Sequence, residues 1–169
     1  LGVLTGDSER FDWQGDHRPR HEAETIIYEL HVGGFTRNSN SGVRDDARGT
    51  FAGVVEKIPY LKDLGVTVVE LMPVFQYDRS DNNYWGYMPF VWGAVHRPYA
   101  LQPERAAEEM AELVAAAHDR GMHVWLDVVF NHTGEGNASL PTHSLRGLDD
   151  DEIPPRPIVS ACAAFRRCS

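Results

Sequence analysis

Residues 123–132 constrain the fold more than any other stretch, because they combine an apolar strand pattern with a polar end. The sequence there is HVWLDVVFNH, and its apolar, largely β-branched side chains predict a strand covered on both faces of a parallel sheet. Asp127 falls inside this run, where an unpaired buried carboxylate is costly and needs hydrogen-bond partners. Asn131 and His132 follow at the strand end, a common location for binding sites in parallel sheets. The alternative interpretation is a core strand with a satisfied aspartate and a surface histidine.

Strand and helix patterns alternate along the chain before this strand. The predicted strands cover residues 25–32 and 66–71, and the predicted helices cover residues 51–58, 59–64 and 103–120. Two helices are predicted around Pro59 because proline fits the first turn of a helix and not its interior. Residues 72–100 are predicted to be one long loop, and loops of this length are usually functional. The alternation predicts a parallel α/β sheet with right-handed crossovers, and the pattern alone also allows an open doubly wound sheet.

Composition limits the partners of the chain. Its 169 residues suit one domain, and 42% hydrophobic with 24% charged residues is typical of a globular protein. A net charge of −9 argues against a nucleic-acid partner. The absence of an apolar run of about 18 residues argues against a membrane partner. Both cysteines, Cys162 and Cys168, lie in the last segment, so a reducing cytoplasm is the predicted location. The oligomeric state is not indicated by the sequence.

The aromatic part of the long loop has the chemistry of a sugar-binding surface. A sugar ring presents an apolar face and a rim of hydroxyls, so it needs an aromatic platform and fixed polar groups. Tyr84, Trp85 and Tyr87 provide candidate platforms, and Asn83 and His132 provide candidate polar groups. The alternative is an aromatic cluster packed beneath a loop.

Several of these segments resemble one enzyme family. Residues 127–132 resemble the first conserved region of α-amylase-type glycoside hydrolases, and residues 28–36 resemble the first barrel strand of isoamylase-type and glycogen-debranching enzymes. Those enzymes usually have arginine where this chain has Gly33. Residues 83–88 and 144–149 resemble the same subgroup. The resemblance implies a (β/α)8 barrel, truncated here to about its first three β/α units because a full barrel needs roughly 250 residues.

The resemblance also implies an activity and residue roles. The subgroup hydrolyses α-1,6 branch links of α-glucans such as glycogen, amylopectin or maltodextrins. Tyr87 matches the tyrosine that stacks under the sugar at the cleavage site, and His132 matches a histidine that hydrogen-bonds a hydroxyl of that sugar. Asp127 matches an aspartate that orients its neighbours. Asn131 matches a position that holds the loop and binds calcium in calcium-dependent amylases. Without the rest of a calcium site, no metal or other cofactor is predicted.

No catalytic residue is predicted in this chain. Retaining hydrolysis needs two carboxyl groups about 5–5.5 Å apart, and in the resembled family these groups lie on later strands. Glu135 and the acids at 149–152 lie in polar loops, and we expect them to be solvated. The chain alone is therefore expected to be inactive. Alternatives are a non-catalytic carbohydrate-binding fragment and a branching or trehalose-releasing relative.

Three segments are predicted. Residues 1–24 are interpreted as a linker from a preceding domain, or as an ordered surface loop held by Phe11 and Trp13. Residues 25–150 form the N-terminal part of the catalytic domain. Residues 151–169 depart from the family pattern and are predicted to be disordered, either as a native tail or as an out-of-frame or misassembled end.

Overall fold

The computed structural model describes part of the chain, namely residues 11–17, 19, 24–79, 83–132 and 134–135. Most of the predicted linker therefore lies outside the described residues. The same is true of the motif at 144–149 and of the whole segment 151–169.

Five strands and three helices organise this part. They are β1 (Ile27–Leu30), α1 (Val32–Phe35), α2 (Phe51–Asp63), β2 (Val68–Leu71), β3 (Phe75–Tyr77), β4 (Pro89–Val95), α3 (Ala106–Asp119) and β5 (His123–Leu126). Short 3-10 turns cover Ser39–Ser41, Asp45–Ala47, Arg97–Tyr99 and Pro103–Arg105. None of the helices in the described ranges is both long and apolar enough to cross a membrane.

A parallel three-stranded sheet lies at the centre, in the order β1-β2-β5. Tyr28 of β1 is in register with Val69 of β2, which is in register with Val124 of β5. Each crossover carries a helix, as the alternation of patterns predicts. Because all three strands are parallel, their carboxyl ends lie at one edge of the sheet.

The core lies between the sheet and the helices α2 and α3. Helix α2 starts at its cap Thr50, whose hydroxyl accepts a hydrogen bond from the backbone N–H of Gly53 at 3.2 Å. Apolar side chains at helical spacing bury one face of each helix against the sheet. The buried side chains of these two helices include Phe51, Val54, Ile58, Leu61 and Leu113.

The prediction of two helices around Pro59 is wrong, because α2 continues through it. Proline lacks the N–H that would bond the carbonyl four residues earlier. Pro59 is exposed, so this lost hydrogen bond lies on the solvent side of the helix. Ile58 and Leu61, on either side of Pro59, are both buried, and their packing stabilises α2 as one continuous helix.

Residues 72–100 are not one loop, because they contain an antiparallel hairpin. Strand β3 pairs with β4 such that Phe75 faces Val95 and Tyr77 faces Pro89, with shifts of register between these pairs. The loop prediction is therefore wrong for both strands. What remains irregular between them is the segment that carries the aromatic motif.

The last strand is shorter and more exposed than predicted. It ends at Leu126, so Asp127 is the first residue after the strand and not a residue inside it. The backbone N–H of Asp127 still donates to the carbonyl of Leu71 at 2.8 Å. Among the described residues β5 pairs with β2 alone, and Trp125 is 47% exposed. The prediction of a strand covered on both faces is thus wrong for this part of the chain.

The described part of the predicted linker packs against the domain. The carboxylate of Asp16 lies 2.8 Å from Nδ1 of His118, near the end of α3. The rings of Phe11 and Trp13 meet edge to face at 4.6 Å. The contact of Asp16 with His118 ties the described part of this segment to α3.

Candidate functional site

The aromatic loop, defined here as residues 83–88, is bound to the ends of two strands. Its Tyr84 carbonyl lies 2.8 Å from Nε2 of His31, which directly follows β1. Its Tyr87 hydroxyl donates to Oδ2 of Asp127, which directly follows β5, at 2.7 Å. The loop therefore lies over the carboxyl edge of the sheet, where α/β proteins commonly place their sites.

Three of the predicted site residues come together at the β5 end of this edge. Tyr87 bonds Asp127 through its hydroxyl, and its backbone carbonyl lies 2.7 Å from Nε2 of His132. A carbonyl only accepts hydrogen bonds, so Nε2 of His132 carries a proton and donates it. In the neutral ring, Nδ1 is then a hydrogen-bond acceptor. Tyr87 remains 37% exposed, so a ligand can reach its ring.

The sheet face beside Tyr87 is acidic. Glu29 and Glu70 are in register on the adjacent strands β1 and β2. Burial raises the pKa of Glu70 above its usual value, and the charges of Glu29 and Asp127 raise it further. Burial also raises the pKa of Tyr87, followed by the hydrogen bond to Asp127 and the charges of the three carboxylates. The Tyr87 hydroxyl is therefore a hydrogen-bond donor at physiological pH.

Below the loop, His31 connects the end of β1 to a chain of tyrosines. Its Nδ1 accepts from the N–H of Gly34 at 2.9 Å, so Nε2 carries the proton of the neutral ring. Nε2 lies 2.8 Å from the Tyr84 carbonyl and 3.0 Å from the Tyr99 hydroxyl. Tyr99 contacts the Tyr77 hydroxyl at 2.9 Å, and Tyr77 donates to the same Tyr84 carbonyl at 3.2 Å. This closed network fixes the start of the aromatic loop.

Sequence reasoning gave no role to His31, Tyr77 or Tyr99. The available signal was the position of His31 between an apolar strand and the pair Gly33 and Gly34. Its partners could not be identified from sequence, because 53 residues separate it from Tyr84 and 68 from Tyr99.

Trp85 and Asn83 lie at the β1 end of the loop. Trp85 is 53% exposed, with its ring edge-on to Tyr84 at 5.0 Å. Gly86 adopts a φ of 84°, and a Cβ there would come within 3.0 Å of the Tyr77 ring, so glycine is required between Trp85 and Tyr87. The amide nitrogen of Asn83 donates to the Asp78 carbonyl at 3.1 Å. These exposures argue against a fully packed aromatic cluster.

Asn131 and Glu135 differ from each other in exposure. Asn131 is exposed, and the described part of the chain contains no group of three His, Cys, Asp or Glu side chains arranged for a metal. Glu135 is buried, so the expectation of a solvated side chain is wrong for it. The acids at 149–152 lie outside the described residues.

Comparison with protein families gives a match over most of the chain. The model for the alpha amylase catalytic domain matches residues 31–145. This range contains the aromatic loop and both strand ends that hold it.

Individual relatives agree with that match. A glycogen debranching enzyme of Klebsiella pneumoniae subsp. pneumoniae is 42% identical over 151 residues, which are 83% of this chain and 23% of that protein. Isoamylase 3 of Oryza sativa subsp. japonica, a chloroplastic protein, is 39% identical over 167 residues, which are 89% of this chain and 21% of that protein. The chain thus spans about a fifth of the length of these relatives.

Solved structures show the same likeness. A pullulanase from Bacillus acidopullulyticus superposes with a TM-score of 0.63 at 33% identity, over 72% of this chain and 17% of that one. A Group B Streptococcus pullulanase in complex with maltotetraose gives a TM-score of 0.59 at 39% identity, over 66% of this chain and 17% of that one.

Proposed function

Because the chain belongs to the alpha-amylase catalytic-domain family, we propose that it forms part of the sugar-binding cleft of a glycoside hydrolase acting on α-glucans. Family membership and the likeness to pullulanases imply the (β/α)8 barrel fold. In our proposal, residues 25–150 are its N-terminal part, and β1, β2 and β5 are its first three strands.

The contact of Tyr87 with Asp127 and His132 is the observation that carries this proposal. Two side chains from the β5 end hold one tyrosine at 2.7 Å each, one through its hydroxyl and one through its carbonyl. Such a tyrosine loses little conformational freedom when a sugar stacks on it. The exposed ring is the platform, and Asp127 orients it.

The remaining predicted residues complete the wall. Nδ1 of His132 accepts a hydrogen bond from a sugar hydroxyl, because Nε2 already donates to the loop. Trp85 and Asn83 contact a neighbouring sugar unit from the β1 end, and Asn131 supports the loop after β5. Tyr87 and Trp85 on either side of Gly86 thus supply two aromatic platforms on one short segment.

The proposed substrate is a branched α-glucan, such as glycogen or amylopectin, cleaved at its α-1,6 links. Its support is the identity to a glycogen debranching enzyme and to an isoamylase. The acid/base and nucleophile are proposed to lie on later strands, so the chain itself binds glucan without hydrolysing it. A cytoplasmic location remains part of the proposal, with the chloroplastic rice relative as the contrast.

Calorimetric titration of the full chain with maltotetraose tests the binding site. Trp85→Ala and Tyr87→Ala are each expected to weaken binding by about tenfold, because each removes a stacking platform. Tyr60→Ala is the matched control, since Tyr60 is an exposed aromatic residue on α2, and it is expected to leave affinity unchanged. Equal affinity of all four proteins would contradict the proposed site.

A second assay tests the division between binding and chemistry. The full chain is incubated with glycogen, and newly formed reducing ends are measured. We expect no release above the buffer blank, and measurable release would overturn the assignment of the reacting carboxylates to later strands.

A further inference from the structure

A cavity of about 310 Å³ opens beside the aromatic loop and is lined by Arg37, Arg79, Asn83 and Tyr84. Both guanidinium groups are held in place. Nε of Arg37 donates to the Gly33 carbonyl at 3.1 Å. The guanidinium carbon of Arg79 lies 5.6 Å from the centroid of the Tyr99 ring, a cation–π distance.

The lining of this cavity is positive in a chain that is negative overall. The chain carries a net charge of −9, and the arginines that form ion pairs within the described ranges are Arg44, Arg48 and Arg105. Neither Arg37 nor Arg79 is paired with a described carboxylate. Arg37 and Arg79 thus place two positive charges at one cavity.

Their convergence is also visible at His31, which lies under the loop. Burial lowers the pKa of His31, and the charges of Arg79 and Arg37 lower it further. Both guanidinium groups therefore act on the same buried ring, which remains neutral at physiological pH. Tyr84, which lines the cavity, stacks on that ring at 4.3 Å, so the cavity wall is rigidly connected to β1.

This arrangement suits a phosphate group better than a neutral sugar. A guanidinium presents a planar fork of N–H donors that matches two phosphate oxygens, and such charge-assisted hydrogen bonds are stronger than neutral ones. Asn83 and Tyr84 add an amide and a phenol at the same wall. A sugar hydroxyl needs only a neutral partner, for which two arginines are not required.

We propose that the cavity lined by Arg37 and Arg79 binds a phosphate monoester carried by an α-glucan, while a neighbouring sugar unit stacks on Trp85 or Tyr87. This inference rests on the proposed function, because the aromatic loop must bind the glucan part. It adds a substrate class, namely phosphorylated α-glucans, to the neutral glucans considered above.

Calorimetric titrations with four probes test the inference on the full chain. The probes are maltotetraose, maltotetraose carrying a 6-phosphate, glucose 6-phosphate and inorganic phosphate. We expect the phosphorylated tetrasaccharide to bind about tenfold more tightly than the neutral one, and more tightly than either small phosphate. Equal binding of the two tetrasaccharides would overturn the inference while leaving the proposed function intact. Failure of both to bind would overturn both.

The source of the phosphate is distinguished by the small probes. If glucose 6-phosphate binds as tightly as the phosphorylated tetrasaccharide, the cavity serves a free sugar phosphate and our inference is wrong. The same holds if inorganic phosphate matches it.

Substitutions of Arg79 test whether the phosphate binds in this cavity. Arg79→Gln is expected to reduce the preference for the phosphorylated over the neutral tetrasaccharide to near one, and Arg79→Lys to reduce it in part, because lysine keeps the charge and loses the fork. Arg105→Gln removes an equal charge from an exposed residue at the start of α3 and is expected to keep the full preference. A preference unchanged in both Arg79 variants would overturn the assignment to this cavity.

Discussion

The two faces of the parallel sheet differ in what covers them. Leu30 and Leu71 are buried against the helical layer, whereas the preceding residues Glu29 and Glu70 point to the opposite face, because side chains alternate along a strand. That opposite face also carries the exposed Trp125. The helical face therefore supplies stability, and the other face, with the carboxyl edge beside it, carries the polar and aromatic groups available for ligands.

The largest expected effect is a loss of stability from the helical face. Phe51→Ala removes a fully buried ring between α2 and Tyr99, and we expect the free energy of unfolding to fall by about 3–5 kcal/mol. Phe130→Ala is the matched control, because Phe130 is 57% exposed, and it is expected to change stability by less than about 0.5 kcal/mol. Urea denaturation measures both variants. Similar losses of unfolding free energy in Phe51→Ala and Phe130→Ala would contradict the view that the helical face supplies the stability.

The next largest change in stability is expected at the buried residue His96. His96 is buried and stacks on Tyr77 at 4.0 Å, and among the described residues neither ring nitrogen has a hydrogen-bond partner. His96→Phe keeps an aromatic ring and removes both unpaired groups, so we expect stability to rise by about 1–3 kcal/mol. A loss of stability at pH 7 would show that the ring nitrogens have a partner.

The same substitution has a pH signature. Burial, which is the largest cause, and the charges of Arg79 and His31 together lower the pKa of His96 to about 3. Below pH 6.5, the ordinary pKa of histidine, His96 binds a proton in the unfolded chain but stays neutral in the folded chain. The wild type therefore loses stability as pH falls from 6.5 towards 3. The advantage of His96→Phe is expected to grow over that interval in urea titrations.

On the opposite face, Glu70 gives a smaller effect of opposite pH dependence. Burial and the neighbouring carboxylates raise its pKa in the folded chain. The folded protein therefore holds this proton more strongly than the unfolded chain, and its stabilising contribution is present at low pH and is lost as pH rises through the folded pKa. Glu70→Gln is expected to raise the melting temperature at pH 7 by a few degrees at most, and by less at pH 4. An equal rise in melting temperature at pH 7 and pH 4 would contradict the raised pKa of Glu70.

The smallest change in stability is expected at the carboxyl edge. Tyr87→Phe removes the hydrogen bond to Asp127 and keeps the ring, so stability is expected to fall by about 1 kcal/mol or less. Maltotetraose affinity is expected to fall less than in Tyr87→Ala, because the stacking platform remains. Equal affinity losses in the two variants would show that the hydroxyl, and not the ring, carries the binding.

The parallel sheet was predictable because its strands obey local rules. The β-branched run at 66–71 and the apolar run at 123–126 indicate strands, and the stripe of α3 indicates the helix between them. Pro59 misled the prediction because its local cost is outweighed by the packing of Ile58 and Leu61, which only the tertiary structure reveals. The hairpin was missed because its strands are irregular and one begins at Pro89.

The residues of the candidate site likewise divide into those that the sequence indicated and those that it did not. Tyr87, Asp127 and His132 were selected from their segments and lie together in the structure, although their roles in sugar binding remain predictions. The network of His31, Tyr77 and Tyr99 depends on contacts between distant segments, and no periodicity records it. Glu135 likewise lies in a polar stretch by sequence and is buried in the structure.

The contrast between the two faces is tested most directly by mapping backbone amide chemical shifts of the full chain during titration with maltotetraose. We expect the largest changes at residues 83–88 and 127–132, which form the carboxyl edge, and little change along α2 and α3. Saturable binding with its largest changes along the two helices, and none at the edge, would contradict the account.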